Sequence, residues 1–132
     1  MSDDNKPDAG TISWLDLTVE DAEKIRDFYQ QVVGWKSEPV AMKGYDDYCM
    51  IRPATDEPTA GICHARGPNA SLPTQWLVYI TVDDLDKSIA TCEALGGKVV
   101  FGPKDMPGTG SYCVIEDPAG AVAALFKHAG TK

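Results

Sequence analysis

The chain has 132 residues, 43% hydrophobic and 24% charged, which suits one compact globular domain with a core of its own. Its net charge of −8 argues against a nucleic-acid partner, whose phosphates require a basic face. No apolar run reaches the roughly 18 residues that span a bilayer, and the acidic opening MSDDNKPDAG lacks the apolar stretch of a secretory signal, so residues 1–10 are expected to be a flexible tail.

From Ser13 the pattern becomes regular. Trp14, Asp16 and Thr18 alternate with Leu15, Leu17 and Val19, the period-two signature of a strand. Thr18 or Glu20 is expected to cap a helix whose apolar stripe is Ala22, Ile25, Phe28, Tyr29, Val32 and Val33, with Gly34 as its stop. Three short strands are expected near residues 36–41, 48–53 and 59–65, with turns at Lys43-Gly44 and over residues 54–58. Residues 66–75, rich in Gly, Pro, Asn and Ser, read as a linker.

The same order then returns. Residues 76–82 form a nearly continuous apolar strand, and Asp83 or Asp84 caps a helix with the stripe Leu85, Ile89, Cys92 and Leu95, ended by Gly96-Gly97. Strands are expected near residues 98–101, 111–116 and 121–127. A Gly/Pro-rich loop over residues 102–110 is long enough to be a lid, and the Asp117-Pro118-Ala119-Gly120 stretch reads as a hairpin turn. Val19 aligns with Val82, 63 residues further on, so the chain is an internal repeat. Two tandem βαβββ modules, at about residues 11–66 and 76–128, predict a single α+β domain over residues 11–132. In it a curved mixed sheet carries helices on the outer face and leaves a central cleft.

Three stretches carry a family likeness: LTVEDAEKIRDFYQQVVGW (residues 17–35), YITVDDLDKSIATCEALGGKV (79–99) and EDPAGAVAALF (116–126). In this order and at half-chain spacing they resemble the vicinal oxygen chelate superfamily of glyoxalases, extradiol dioxygenases and bleomycin resistance proteins. The resemblance covers residues 11–127. It implies a divalent metal held by His or Glu side chains at four strand positions, which fall here on Trp14, Gly61, Leu77 and Ala124. None of these can coordinate a hard divalent ion, and shifting the register by one residue brings no His or Glu into place. No metal or other cofactor is therefore expected.

Strand alternation predicts what the cleft offers instead: Trp14, Asp16 and Thr18; Thr59, Gly61 and Cys63; Leu77, Tyr79 and Thr81; and Val122, Ala124 and Phe126. This set is apolar and aromatic with a few polar groups, as a small-molecule pocket needs. Trp14 and Phe126 suit stacking on a planar ligand. Asp16 and Tyr79 occupy equivalent places in the two modules and suit a ligand amine or proton transfer. His64 and His128 belong to no spaced ligand set. The widely spaced Cys49, Cys63, Cys92 and Cys113 read as reduced, buried thiols of a cytoplasmic protein.

The expectation is a glyoxalase/bleomycin-resistance-like protein that binds a small organic ligand without a catalytic metal, as a homodimer. Two alternatives stand beside it. One is a metal-dependent lyase, isomerase or dioxygenase with displaced ligands; the other is a metal-free enzyme using Asp16 and Tyr79.

Overall fold

The computed structural model describes residues 7–129. By packing, these divide into two units, residues 14–76 and residues 77–129 together with 7–13. Each repeats the order strand, helix, three strands, so the chain is an α+β protein of two tandem βαβββ modules.

In residues 14–76 the elements are β1 (Ile12–Val19, whose first two residues belong to the other unit), α1 (Ala22–Val33), β2 (Lys36–Ala41), β3 (Asp46–Ile51) and β4 (Pro58–His64). The strand order is β2-β3-β4-β1, with β1 and β4 parallel and the remaining pairs antiparallel. The cap of α1 is Asp21, not Thr18 or Glu20: its carboxylate accepts from the Lys24 backbone N–H at 3.1 Å. Thr18 lies inside the strand and is buried, so its hydroxyl is not at the helix start. Gly34 ends the helix in the left-handed conformation at φ 89°, where a side chain would be strained.

The expected helix stripe is only half used. Ala22, Ile25 and Tyr29 pack with Tyr48, Met50, Ile62, Trp35 and Trp76, whereas Phe28, Val32 and Val33 are exposed. One small sheet covers a narrower arc of the helix than the apolar stripe spans. Trp76 closes this core by donating its indole N–H to the Tyr29 hydroxyl at 3.1 Å. The strand β3 begins two residues before its expected start, because the turn after β2 pairs Ala41 with Asp46. Most of β2 is exposed, and Pro39 is tolerated there because β2 is last in the strand order of this unit. The stretch read as a linker contains a 3-10 turn, Gly67–Ser71, anchored where the Arg66 backbone N–H donates to the Asn69 side chain at 2.8 Å.

The second unit holds β5 (Trp76–Thr81, Trp76 itself packing with the first unit), α2 (Leu85–Ala94), β6 (Lys98–Met106), β7 (Gly110–Glu116) and β8 (Val122–His128), in strand order β5-β8-β7-β6. Asp84 caps α2, accepting from the Lys87 backbone N–H at 3.1 Å. Through Leu85 and Ile89 the helix packs on Ile80, Val82, Val99, Cys113, Ile115 and Leu125. Leu95, expected on that stripe, is 72% exposed because the helix has ended by then.

Over residues 102–110 the expected loop is corrected to strand. Here β6 continues through Gly102 and Pro103 to Met106, and only residues 107–109 turn into β7. Two register shifts, between Val99 and Phe101 and between Phe101 and Lys104, absorb the Gly and Pro that imitate a loop. Residues 1–6 of the expected tail lie outside the described residues. Gly10 is tied down: its N–H donates to the Thr81 carbonyl at 2.8 Å, and the Thr81 N–H donates to the Thr11 carbonyl at 2.8 Å.

Candidate functional site

In each unit one strand face carries the helix and the other does not. The twelve residues expected to line a cleft divide six and six between the units, and Asp16 and Tyr79 belong to different ones.

In residues 14–76 the helix-free face is built by alternation from β1 and β4. Register pairs Asp16 with Gly61 and Thr18 with Cys63, so these four share a face, with Trp14 and Thr59 one step along their strands. Trp14 donates its indole N–H to Asp16 Oδ1 at 2.7 Å. Gly61 is required beneath this pair: a Cβ there would overlap Asp16 Oδ1 and stand 3.5 Å from Trp14 Nε1. Register also places Cys49 opposite Gly61 and Glu38 opposite Cys49, with Asp47 two residues before Cys49 on the same side of β3. The face therefore combines an indole, three carboxylates and two thiols.

Burial pushes the Cys49 thiol above its ordinary range, and Glu38 and Asp16 add to the effect. Burial pushes Cys63 higher still, with Asp16 and then Asp47 contributing, and Asp47 accepts a hydrogen bond from its thiol. Both thiols are held in the protonated form, which is a poor nucleophile. Asp47 also accepts the His64 backbone N–H at 2.8 Å, and its Oδ1 lies 3.5 Å from His64 Nδ1. Of the six expected residues only Thr18 reaches the groove of about 450 Å³ beside the start of α1, which Val19, Asp21, Ile25, Ala65 and Leu72 also line.

In the second unit, register pairs Tyr79 with Ala124 and Thr81 with Phe126, which puts Leu77 and Val122 on the same side one step back. Leu77 and Ala124 are buried. Rings outside the expected set join this face. Tyr112 is opposite Phe126 and its ring centroid lies 5.9 Å from that of Tyr79. Phe101 is 5.8 Å from Tyr112, and His128 is 4.7 Å from Phe126. Phe101 gets there by the bulge at Val100. Val99 packs under α2, and if the same residues paired without a bulge Phe101, two residues on, would share that side. A polar edge adjoins the rings: the Thr81 hydroxyl lies 3.3 Å from Ser13 Oγ and 3.3 Å from His128 Nε2.

The metal of the resembled family has no fit in these residues. Trp14, Gly61, Leu77 and Ala124 offer no donor atom, and the carboxylate nearest to Trp14 and Gly61 already accepts the indole N–H. Among the described residues no group of three or more His, Cys, Asp and Glu side chains is arranged to hold a metal ion.

The model of the Glyoxalase/Bleomycin resistance protein/Dioxygenase superfamily matches residues 11–125, and the chain belongs to that superfamily. Among curated relatives, the protein named "Putative glyoxylase CFP32" of Mycobacterium tuberculosis is 31% identical over 122 residues, which are 92% of this chain and 46% of the relative. The anthracycline biosynthesis protein DnrV of Streptomyces peucetius is 30% identical over 129 residues, 89% of this chain and 47% of the relative. The chain thus spans about half the length of the curated relatives it matches. Among solved structures, a methylmalonyl-CoA epimerase in complex with methylmalonyl-CoA and NH4+ has a TM-score of 0.59 at 15% identity, over 95% of this chain and 99% of that one. The methylmalonyl-CoA epimerase of Mycobacterium tuberculosis gives 0.57 at 13% identity, over 89% and 87%. At such identities the likeness is one of fold. No helix among the described residues is long and apolar enough to cross a membrane.

Proposed function

We propose that this chain is a small-molecule-binding member of the superfamily that takes an organic ligand on its helix-free strand faces and uses no catalytic metal. One reading of the sequence carries it: the four positions on which the resemblance places metal ligands hold Trp14, Gly61, Leu77 and Ala124. On the same faces stand rings and a few hydrogen-bonding groups, Asp16, Thr18, Thr59 and Cys63 in the first unit and Tyr79, Thr81 and Phe126, with the aliphatic Val122, in the second. Apolar surface with few polar groups is the usual composition of an organic-ligand site. The names of the relatives, a glyoxylase and an anthracycline biosynthesis protein, support small-molecule chemistry of some kind.

The reading extends to a cytoplasmic homodimer. The four free cysteines support a reducing compartment, and the exposed Phe28, Val32 and Val33 supply apolar surface for a second copy. Elemental analysis of the purified protein tests the main point. Less than about a tenth of an equivalent of any divalent metal is expected, with ligand-induced thermal stabilisation unchanged by EDTA. A stoichiometric divalent ion bound by the protein's side chains would overturn the reading in favour of a metal-dependent lyase, isomerase or dioxygenase. A native mass equal to one chain would remove the homodimer.

A further inference from the structure

We propose that the helix-free face of residues 77–129 is a binding site for a planar aromatic ligand bearing a ring-attached oxygen, such as a quinone carbonyl or a phenol. This rests on the metal-independent reading above and names the ligand class for one face.

The rings on this face are continuous. Phe101, Tyr112, Tyr79, Phe126 and His128 form one chain of neighbouring rings, with successive centroids 5.8, 5.9, 6.5 and 4.7 Å apart. All five are half-buried, while Val114 and Ala124, which share their face, are fully buried. The rings thus form a layer over an aliphatic floor. The core of this unit is on the other side: the residues packed with Leu85 of α2 are Ile80, Val82, Val99, Cys113, Ile115 and Leu125, all of opposite parity or, for Val99, separated from Phe101 by the bulge. The rings are therefore not needed to seat the helix.

The bulge is the second observation. A regular β6 would send Phe101 to the helix side. An extra residue at Val100, itself 39% exposed, turns Phe101 to join Tyr112. Bulges of this kind re-aim a side chain at the cost of local pairing, and here the side chain re-aimed is a ring that extends the aromatic row.

The third is the polar end. Thr81 is 3% exposed and its hydroxyl is within reach of both Ser13 and His128. The buried Thr81 hydroxyl holds the His128 ring at one end of the aromatic row, and this half-buried imidazole would give a flat ligand an orientation through an oxygen on the ligand's rim while its rings stack on Tyr112 and Phe126.

The test is a titration of the purified full chain with 1,8-dihydroxyanthraquinone and, separately, with cholate, an apolar molecule of comparable size that is not planar. Tyr112→Leu and Phe126→Leu keep apolar bulk and remove the ring face. Each is expected to weaken dihydroxyanthraquinone binding about two- to tenfold, with the control Leu95→Ser unchanged. Circular dichroism and Tm report whether each variant folds. If one does not, shift perturbations of the Tyr79 and Tyr112 rings in the unaltered protein carry the same information. Equal binding of cholate, unchanged affinity in folded ring variants, or no ring perturbation would overturn the proposal. Loss of binding in EDTA with the ring effects intact would instead overturn the metal-independent reading and leave the aromatic site standing.

Discussion

Trp14 donates its indole N–H to the Asp16 carboxylate at 2.7 Å directly above Gly61, so one hydrogen bond decides which residue the neighbouring strand can carry. Gly61→Ala has no room for its methyl group without moving Asp16. A loss of about 1–3 kcal/mol is expected, read as a fall in the urea midpoint at unchanged slope. In Gly61→Ala/Asp16→Ala the methyl group no longer meets a carboxylate. The two effects should then be clearly non-additive, the double variant losing less than the sum of the singles.

The helix caps are separable from this site. Asp21 and Asp84 each accept a backbone N–H from the third residue on, at 3.1 Å in both cases. Asp21→Ala and Asp84→Ala should each cost about 1 kcal/mol. Asp84→Asn should recover most of its loss, since an amide oxygen can take the same bond. Full stability in Asp84→Ala would show that α2 is held by packing alone.

Deleting Val100 should replace the bulge by regular pairing, with Phe101 directly after Val99 and still opposite Val114. Nuclear Overhauser contacts between Phe101 and Tyr112 should therefore persist, because alternation then keeps Phe101 on the face away from α2. Their disappearance would show that the strand slips its register on losing the residue rather than closing the bulge.

Alkaline stability should depend on Cys113. Burial, with Cys92 nearby, raises its thiol from 9.0 to about 11. Below pH 9 both the folded and the unfolded thiol are protonated, and the contribution is fully present. Between about pH 9 and 11 the unfolded thiol ionises while the folded one keeps its proton, so stability falls as pH rises. Each tenfold weakening of the thiol as an acid is worth about 1.4 kcal/mol, giving a loss of order 2–3 kcal/mol. Denaturation at pH 8 and pH 11 should show at least this loss, since the raised Cys63 and Cys49 thiols act in the same direction. Cys113→Ala should flatten the decline, with a packing penalty at both values.

Much of the architecture was legible in the sequence, because tandem copies of one pattern reinforce each other. The bounds of β2 and the Gly34 stop follow from local chemistry and the structure reproduces them, and of the two aspartates that could cap α2 it uses Asp84. The alternation of β1 and β5 also gave their helix side correctly: Leu17 is buried, and Val19, Ile80 and Val82 pack in the two cores. What was not legible depends on pairing across strands. Nothing in VVFGPKDM reveals a bulge, since the shift exists only relative to β7, and the Gly and Pro inside it imitate a loop. Phe101 and Tyr112 were missed for that reason. Glu38 and Cys49 were missed because placing Cys49 opposite Gly61 and Glu38 opposite Cys49 requires the register of three strands at once. The exposure of Val32 and Val33 was hidden because an apolar stripe states what a helix can bury, not how wide the surface beneath it is.

The pairing of Thr81 with Gly10 and Thr11 bears on any attempt to dissect the protein. A fragment starting at residue 77 would contain nearly all of the second module's strands, yet Thr81 would lose the two backbone partners supplied by residues 10 and 11. Its N–H and C=O would become an open border on an otherwise finished strand. Borders of that kind attract other chains. The short leader before β1 therefore acts as a seam, and chains trimmed past residue 10 should be judged first by how readily they self-associate.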